Sequence, residues 1–348
     1  YLQFAKIPKL VEPYTAGERR SEMATLRQLG TWAKFSIHSQ PDRADQPPLL
    51  AVDGGFISKK DNSFLRAFGR KNRAASEAVQ DVLPDNLVAL NWFGAGNFQR
   101  FYQYLNREDE ELFKEYFLDW IGQDFAHVVT EPFGGKDQSE QFVLFKIRDP
   151  AVAAEQLRAF EENVGVQRIY DYQMFTITQL LADDLFLPVF GTAMNGIQQP
   201  FYTIIEDYVV FGNSRAALEI WIDKYIAGQT LANDTDFLQI VATLNSETSI
   251  FTALHVSQLS QLIQSYAKRS LHKKLERPLD ALQKLNYLAL NGSVDGSRVY
   301  LSGKLSITQK VTQRTGIAWK MPLKYPAAGA PVVLRNQATQ QYEILVQD

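Results

Sequence analysis

The sequence predicts an α+β protein in which mainly antiparallel sheets carry helices packed on one face. Short runs rich in β-branched and aromatic residues occur in pairs joined by turn-forming residues, which is typical of antiparallel hairpins. Between the pairs lie segments whose apolar residues recur every three or four positions, which is typical of amphipathic helices. The order hairpin, helix, strand, helix recurs along the chain and indicates a partly duplicated unit.

The first unit begins with a hairpin, predicted at residues 32–39 and 49–57 around a proline-rich loop. Asn62 has the side-chain oxygen of a helix cap, and the helix that it starts is predicted to end before Pro84. A strand follows at residues 87–93. These elements give the hairpin, the first helix and the strand of the unit.

Two aromatic-rich helices complete the first unit, and Asn97 is the predicted cap of the first of them. Their apolar residues lie at helical spacing, so we interpret the rings as ordinary core. The alternative is that they line a pocket for an apolar, lipid-like ligand. The inward-facing residues are Phe98, Phe101, Tyr102, Leu105, Leu112, Phe113, Tyr116, Phe117 and Trp120.

A second hairpin opens the second unit, at residues 125–131 and 141–148. Asp149-Pro150 is a typical helix start, because the aspartate caps free amides and the proline fixes the first helical φ. Residues 168–178 are predicted as one strand. The second unit therefore starts with the same order of elements as the first.

The stretch 201–266 has the clearest local signals in the chain. It is predicted to contain a hairpin that turns at Glu206-Asp207 and a helix capped by Asn213 or Ser214. A helix capped by Asn233 or Asp234, a strand and a helix capped by Ser257 follow. Every apolar position here suits burial, so the sequence offers no group reserved for chemistry.

The last elements are a long hairpin, at residues 285–294 and 298–311, that turns at Asp295-Gly296. Residues 312–348 change in character and contain two short β-rich runs around a polar turn. Such a piece cannot bury both of its faces alone, so we expect it to be the start of a further domain.

A short letter repeat supports the duplication, because Leu65-Arg66-Ala67-Phe68 is echoed by Leu157-Arg158-Ala159-Phe160. The units need not be equal, since the second contains inserted elements. The predicted domains are residues 1–121 as the first repeat unit with an N-terminal arm, residues 122–311 as the second, expanded unit, and residues 312–348 as a detached β segment that starts a truncated propeller-like domain.

Composition narrows the classes of partner and compartment. The 348 residues carry a net charge of −3, which argues against nucleic acid as a partner. There is no cysteine, which excludes disulfides and thiolate chemistry and suits a bacterial envelope. No apolar run is long enough to cross a bilayer, so contact with a membrane is expected only through an anchor outside this chain. The chain starts at Tyr1 rather than Met, and we expect an upstream signal or anchor to have been removed.

No motif in the sequence predicts a catalytic, cofactor-binding or metal-binding residue. Gly94-Ala95-Gly96 lacks the third glycine of a dinucleotide loop, and Asp183-Asp184 suits a solvated turn better than a metal site. His38 and His127 each fall in the first strand of a predicted hairpin, so they could approach each other in space. With a nearby carboxylate, either one gives the weakest hypothesis, a hydrolase or metal enzyme.

Three motifs, DYQMFTITQL, YVVFGNSRAALEIWIDKYIAGQTL and LNSETSIF, lie within residues 170–253. In them the chain resembles an uncharacterised family of Bacteroidetes-type bacterial envelope proteins, catalogued as a domain of unknown function. The resemblance implies a membrane-anchored protein with an α+β region ahead of a β-propeller-like region. The tail from Trp319 is similar to the first strands of such a propeller. None of these motifs is catalytic, so no active residue is implied.

The function that these observations predict is a non-enzymatic binding or scaffolding module on the periplasmic side of a bacterial cytoplasmic membrane. We expect a protein partner and no cofactor. The carrier of an apolar ligand is the alternative, and it requires a cavity of a few hundred Å3 lined by the aromatic rings. The enzyme hypothesis requires His38 or His127 beside a carboxylate in a concave pocket.

Overall fold

A computed structural model describes residues 2–3, 32–39, 49–58, 63–68, 79–105, 111–132, 139–190, 197–244, 248–259, 263, 267–307, 332–335 and 342–345. The chain divides into two compact units, residues 1–309 and residues 310–348.

The larger unit contains thirteen described strands, and all of them belong to one sheet. They are β1 (Leu2–Gln3), β2 (Trp32–Ser39), β3 (Leu49–Ile57), β4 (Leu87–Gly94), β5 (Ile121–Pro132), β6 (Ser139–Ile147), β7 (Val166–Tyr172), β8 (Phe175–Leu180), β9 (Phe201–Ile205), β10 (Tyr208–Gly212), β11 (Ile250–His255), β12 (Leu285–Asp295) and β13 (Arg298–Ile307).

Nine α-helices lie in the described part of this unit. They are α1 (Ser63–Ala67), α2 (Val79–Val82), α3 (Phe98–Leu105), α4 (Glu111–Phe117), α5 (Pro150–Val164), α6 (Leu187–Phe190), α7 (Arg215–Ile226), α8 (Thr235–Val241) and α9 (His272–Leu282).

The sheet is antiparallel throughout, in the order β1-β2-β3-β13-β12-β11-β4-β5-β6-β10-β9-β8-β7. Apart from β1, it consists of two sets of six strands. In the first set (β2, β3, β13, β12, β11, β4) the strands follow the chain order first, second, sixth, fifth, fourth, third. The second set (β5, β6, β10, β9, β8, β7) has the same order. In the chain, the second set lies between β4 and β11, and in the sheet β4 pairs with β5.

In each set, the connection from the second to the third strand crosses over three strands. This connection contains α1 in the first set and α5 in the second. The repeated Leu-Arg-Ala-Phe string lies within α5, and in the first set it runs from α1 to the residue after it, Phe68. Phe68 and Phe160 are buried in the same core cluster. The repeated letters therefore lie at equivalent places in the two sets, while an origin by duplication stays a prediction.

The prediction that the helices pack on one face of the sheet is wrong. We call the side of the sheet that carries Phe145 face A, and the side that carries Leu144 face B. Face A packs against α3, α4, α5 and α6, whereas face B packs against α2, α7 and α8. The reason is visible in β6 and β10, which are apolar at consecutive positions and must therefore be covered on both sides.

The single strand predicted at residues 168–178 is also wrong, because β7 and β8 form a hairpin there. Gln173 takes the turn with a φ of 53°. Glycine, asparagine and aspartate favour this left-handed region, and glutamine does not. The turn between Tyr172 and Phe175 therefore carries no sequence signal.

The smaller unit contains a described hairpin of β14 (Val332–Arg335) and β15 (Tyr342–Leu345). In the larger unit, strands from both predicted repeat units belong to one sheet. β11, β12 and β13 come from the second predicted unit, yet they complete the strand set that begins with β2. The predicted domain boundaries and the propeller-like region stay predictions.

Candidate functional site

In the first set of strands, much of face A is left uncovered by the described helices. The register connects Ile37 through Val52 and Gly303 to Leu290, so these residues share one face of neighbouring strands. Ile37 is 67% exposed, while Val52 and Leu290 are partly buried. We call this surface the open face, and it comprises Phe35, Ile37, Leu50, Val52, Leu288, Leu290, Leu301 and Leu305.

A glycine on face A, Gly303, allows a neighbouring leucine to lie against the sheet. A Cβ atom at Gly303 would lie 2.3 Å from Leu290 Cδ2 and 2.5 Å from the carbonyl oxygen of Ala289. Because Gly303 has no side chain, Leu290 can lie across the neighbouring strand instead of pointing away from the sheet. Leu290 thus packs against the backbone of β13 and contributes to a partly exposed apolar surface.

A buried acid lies on face B, at the start of β5. Asp124 has no exposed surface and accepts a hydrogen bond from Tyr208 Oη at 3.3 Å. Lys146 Nζ lies 4.8 Å from the centre of the Tyr208 ring and 2.5 Å from Asp207 Oδ2. Asp124 was not predicted from the sequence as a candidate, although a lone carboxylate inside an apolar strand is a signal of a buried acid.

Burial raises the pKa of Asp124 to about 6, and the charge of Lys146 and the hydrogen bond from Tyr208 oppose that rise. A carboxyl group with such a pKa can act as a general acid if a substrate reaches it. Its complete burial prevents this contact, so we interpret Asp124 as part of the interior.

A cavity of about 10 Å3 lies on face B beneath α7. Asn86 Oδ1 and Trp221 Nε1 are buried at this place without a hydrogen-bond partner. The volume suits about one water molecule, which could accept from the indole and donate to the amide oxygen. The lining residues are Pro84, Asn86, Thr130, Glu140, Phe142, Ala217, Ile220 and Trp221.

A second polar cluster joins β12 to the start of α8. Tyr287 Oη donates to Asp234 Oδ2 at 2.6 Å, and Asp234 Oδ1 accepts from the Phe237 amide at 3.0 Å. His255 stacks on the Tyr287 ring at 4.5 Å, and burial lowers the pKa of this histidine. Both oxygens of Asp234 are thus occupied in capping α8 and fixing Tyr287, which indicates a structural role.

His38 lies on the surface with a carboxylate. Its Nε2 is 3.4 Å from Asp53 Oδ2, and Ser302 Oγ donates to Asp53 Oδ1 at 2.8 Å. A hydrolase triad needs the histidine between the serine and the acid, so that it can take the serine proton. Here the acid lies in the middle, and all three side chains are exposed, so this arrangement does not activate a nucleophile.

His127 lies far from His38. Its Nε2 is 3.2 Å from Gln141 Oε1, and burial lowers the pKa of the imidazole. Five strands separate β2 from β5, which corresponds to about 29 Å across the sheet. The register places His127 on face A and His38 on face B. The expectation that the two histidines could approach each other is therefore wrong.

One comparison with known proteins gives a match. A family model described as a protein of unknown function, DUF3352, matches residues 97–347, which is more than half of the chain. The chain belongs to the DUF3352 family. No curated protein and no solved structure matches it. The expectation of a domain of unknown function is confirmed at this level, and the family description names no activity or ligand.

The aromatic rings of α3 and α4 in this DUF3352 member pack against one another. The centres of Phe113 and Phe117 are 4.7 Å apart, and those of Phe101 and Phe125 are 5.3 Å apart. Phe98 and Trp120 are fully buried in the same cluster. The rings fill the space between these helices and the sheet, which argues against a carrier pocket at this place.

The two remaining motifs of the DUF3352 member have local structural roles. Asn97 Oδ1 accepts from the Arg100 amide at 2.8 Å, so the turn after Gly94 is a helix cap as predicted. Asp183 is exposed, and Asp184 takes a turn with a φ of 51°. No group of three or more His, Asp or Glu side chains suited to a metal ion occurs among the described residues. Within the same residues, no helix is long and apolar enough to cross a membrane.

Proposed function

We propose that this chain is a non-enzymatic binding or scaffolding module on the outer side of a bacterial cytoplasmic membrane, and that its open face binds a protein. The open face is the observation that carries this proposal. Leu290, Leu301 and their neighbours form an apolar surface that is only partly buried. Sites for small molecules are concave, whereas a flat apolar surface suits another protein.

The polar groups support a non-enzymatic role. The carboxylate of Asp234 caps a helix and binds Tyr287, and Asp124 is buried against Tyr208. The exposed carboxylate Asp53 binds both Ser302 and His38. These groups maintain the fold and leave no acid, base and nucleophile converging on a cleft among the described residues.

The proposed location rests on the resemblance of residues 170–253 to bacterial envelope proteins and on the absence of cysteine. In this proposal an anchor outside the chain holds it at the membrane, and residues 312–348 begin a propeller-like region. Protease added to intact spheroplasts should degrade the full-length protein. Degradation only after the inner membrane is broken would contradict the proposed location.

We also propose that the two strand sets arose by duplication, with the second copy inserted between β4 and β11. The identical strand order and the equivalent positions of Phe68 and Phe160 support this origin. In this account, the partner binds the first copy at its open face.

The test of binding is co-purification with proteins from detergent-solubilised envelope of the bacterium that encodes the chain. We expect the wild type to retain a defined protein, and we expect Leu301→Glu to lose it, because a buried charge at the interface is costly. Leu238→Glu is the matched control, since Leu238 is also a partly exposed leucine but lies on α8.

Near-ultraviolet circular dichroism must show that both variants remain folded. Equal retention by the wild type and Leu301→Glu would contradict the proposed role of the open face. Retention of no protein, together with turnover of a substrate by the purified chain, would contradict the proposed function itself.

A further inference from the structure

β7 is the last described strand at its end of the sheet, and among the described residues it pairs only with β8. Its sequence, VQRIYDY, contains no proline, so every residue of the strand has the backbone donor that pairing requires. Ile169, in the middle of β7, is 61% exposed. We propose that two copies of this chain form a symmetric dimer by antiparallel pairing of their β7 edges, with Ile169 of one copy opposite Ile169 of the other.

The backbone of β7 has hydrogen-bonding groups on the side that faces away from β8. Tyr172 and Phe175 flank a two-residue turn, so they form the hydrogen-bonded pair that closes the hairpin. Hydrogen-bonded and non-hydrogen-bonded pairs alternate along an antiparallel ladder. Tyr170 therefore bonds to β8, while the N–H and C=O groups of Ile169 and Asp171 point away from it. At Ile169, a second copy of β7 can exchange two hydrogen bonds with the first.

Symmetry restricts how the two strands align. The two-fold axis must pass through one residue position, because residues opposite each other in a sheet lie on the same face. An axis at Arg168 opposes two arginines, and like charges directly opposite each other are destabilising. An axis at Tyr170 places the apolar Ile169 opposite the charged Asp171. An axis at Ile169 avoids both, since the isoleucines then face each other and Arg168 lies opposite Tyr170.

Exposed apolar side chains at the ends of the hairpin support this alignment. Met174 in the turn is 81% exposed, and Leu181 after β8 is 57% exposed. Leu181 Cδ1 would lie 3.2 Å from a Cβ atom at Gly165, so the leucine lies against the start of β7. With the axis at Ile169, position 174 of one copy lies opposite position 164 of the other, close to that copy's Leu181. Dimerisation therefore shields apolar surface at both ends of the joint as well as in its middle.

α7 orders the strand from face B. Tyr172 Oη donates to Asp223 Oδ2 at 2.8 Å. The guanidinium carbon of Arg215 lies 4.2 Å from the centre of the Tyr170 ring. Asp223 and Arg215 both belong to α7, so this helix holds β7 in place before a second copy binds. A strand that is already ordered loses little conformational entropy when it pairs.

Sedimentation velocity over a concentration series of the purified chain tests the dimer. We expect the wild type to form dimers and no larger species, because a two-fold contact closes on itself. Ile169→Lys and Ile169→Glu should each stay monomeric, since like charges would face each other across the axis. An equal mixture of the two variants should form heterodimers, because opposite charges then face each other. Ile226→Lys is the matched control, since Ile226 is 47% exposed on α7, and it should dimerise as the wild type does.

Single cysteines test the alignment, because the natural chain has none. The two Cα atoms of a hydrogen-bonded pair are about 5.5 Å apart, which suits a disulfide, so Ile169→Cys should form covalent dimers under mild oxidation. Met174→Cys is the control. Met174 is more exposed, yet the two copies of this position lie ten residues apart along the joint, about 33 Å, and should not cross-link.

Three results would overturn the proposal: a wild type that stays monomeric, a mixture of the charge variants without heterodimers, or equal cross-linking of the two cysteine variants. Both measurements use only the purified chain, without envelope proteins. Their outcome therefore does not depend on whether the open face binds a protein.

Discussion

The two strand sets have the same order but differ in how much of face A they bury. In the second set, Phe145 and Phe211 have no exposed surface. In the first set, Phe35 and Ile37 on the same face are exposed, and their neighbours are only partly buried. The strand order therefore does not determine how much of face A is buried.

The connections between strands make the difference. α3 and α4 lie in the chain between β4 and β5, and their rings pack on face A near Phe125 and Phe145. α5 and α6 extend the same layer over the second set. Two strand sets of the same order can thus share one hydrogen-bond ladder, while helices outside the ladder cover face A in one set and leave more of it exposed in the other.

The largest expected difference between the sets concerns matched phenylalanines on face A. Phe145→Ala should lower the free energy of unfolding by about 3–5 kcal/mol, because it creates a cavity in a packed core. Phe35→Ala should lower it by only about 1–2 kcal/mol, because Phe35 is 38% exposed and the substitution removes less buried apolar area. Urea unfolding of both variants checks this, and equal losses would show that the first set is packed as tightly as the second.

A smaller effect is expected from the buried acid of the second set. The folded state raises the pKa of Asp124 from 3.8 to about 6, so the folded protein holds this proton more tightly than the unfolded chain. The contribution of Asp124 to the free energy of unfolding should therefore be lost as the pH rises from 3.8 to about 6. Asp124→Asn removes this dependence, and above that window it should be more stable than the wild type by on the order of 2–3 kcal/mol.

The control for Asp124→Asn is Asp53→Asn, which changes an exposed carboxylate of the first set. Its unfolding free energy should differ from that of the wild type by less than about 0.5 kcal/mol across the same pH range. Urea unfolding between roughly pH 4 and 7.5, a range that brackets the titration, measures both differences. An Asp124→Asn difference that does not grow with pH would contradict the assigned burial of the charge.

Local chemistry made many elements predictable from the sequence. Ser214 accepts a hydrogen bond from the Ala217 amide at the start of α7, and Asp234 does the same for Phe237 at α8. Gly296 has a φ of 59° in the predicted hairpin turn. Each of these caps and turns depends on a few neighbouring residues, so a short stretch of sequence is enough to predict it.

The order of the strands was not predictable in the same way. The pairing of β4 with both β5 and β11 joins segments that are far apart in the chain, and no local pattern encodes it. Similarly, proline is normally tolerated only in the first turn of a helix, yet α9 begins at His272 and has Pro278 in its second turn. The candidate site was missed because the open face belongs to no single segment, but to strands from both ends of the larger unit.

The smallest expected effect concerns the exposed ion pair of the first set. His38→Ala removes the contact with Asp53, and the free energy of unfolding should fall by less than about 0.5 kcal/mol, because water screens exposed charges. The same substitution lies on face B, so it should leave the retention of an envelope protein by the open face unchanged. Urea unfolding and co-purification measure the two quantities. If His38→Ala no longer retained the envelope protein, the binding surface would include face B. The different burial of face A in the two sets would then not explain where the partner binds.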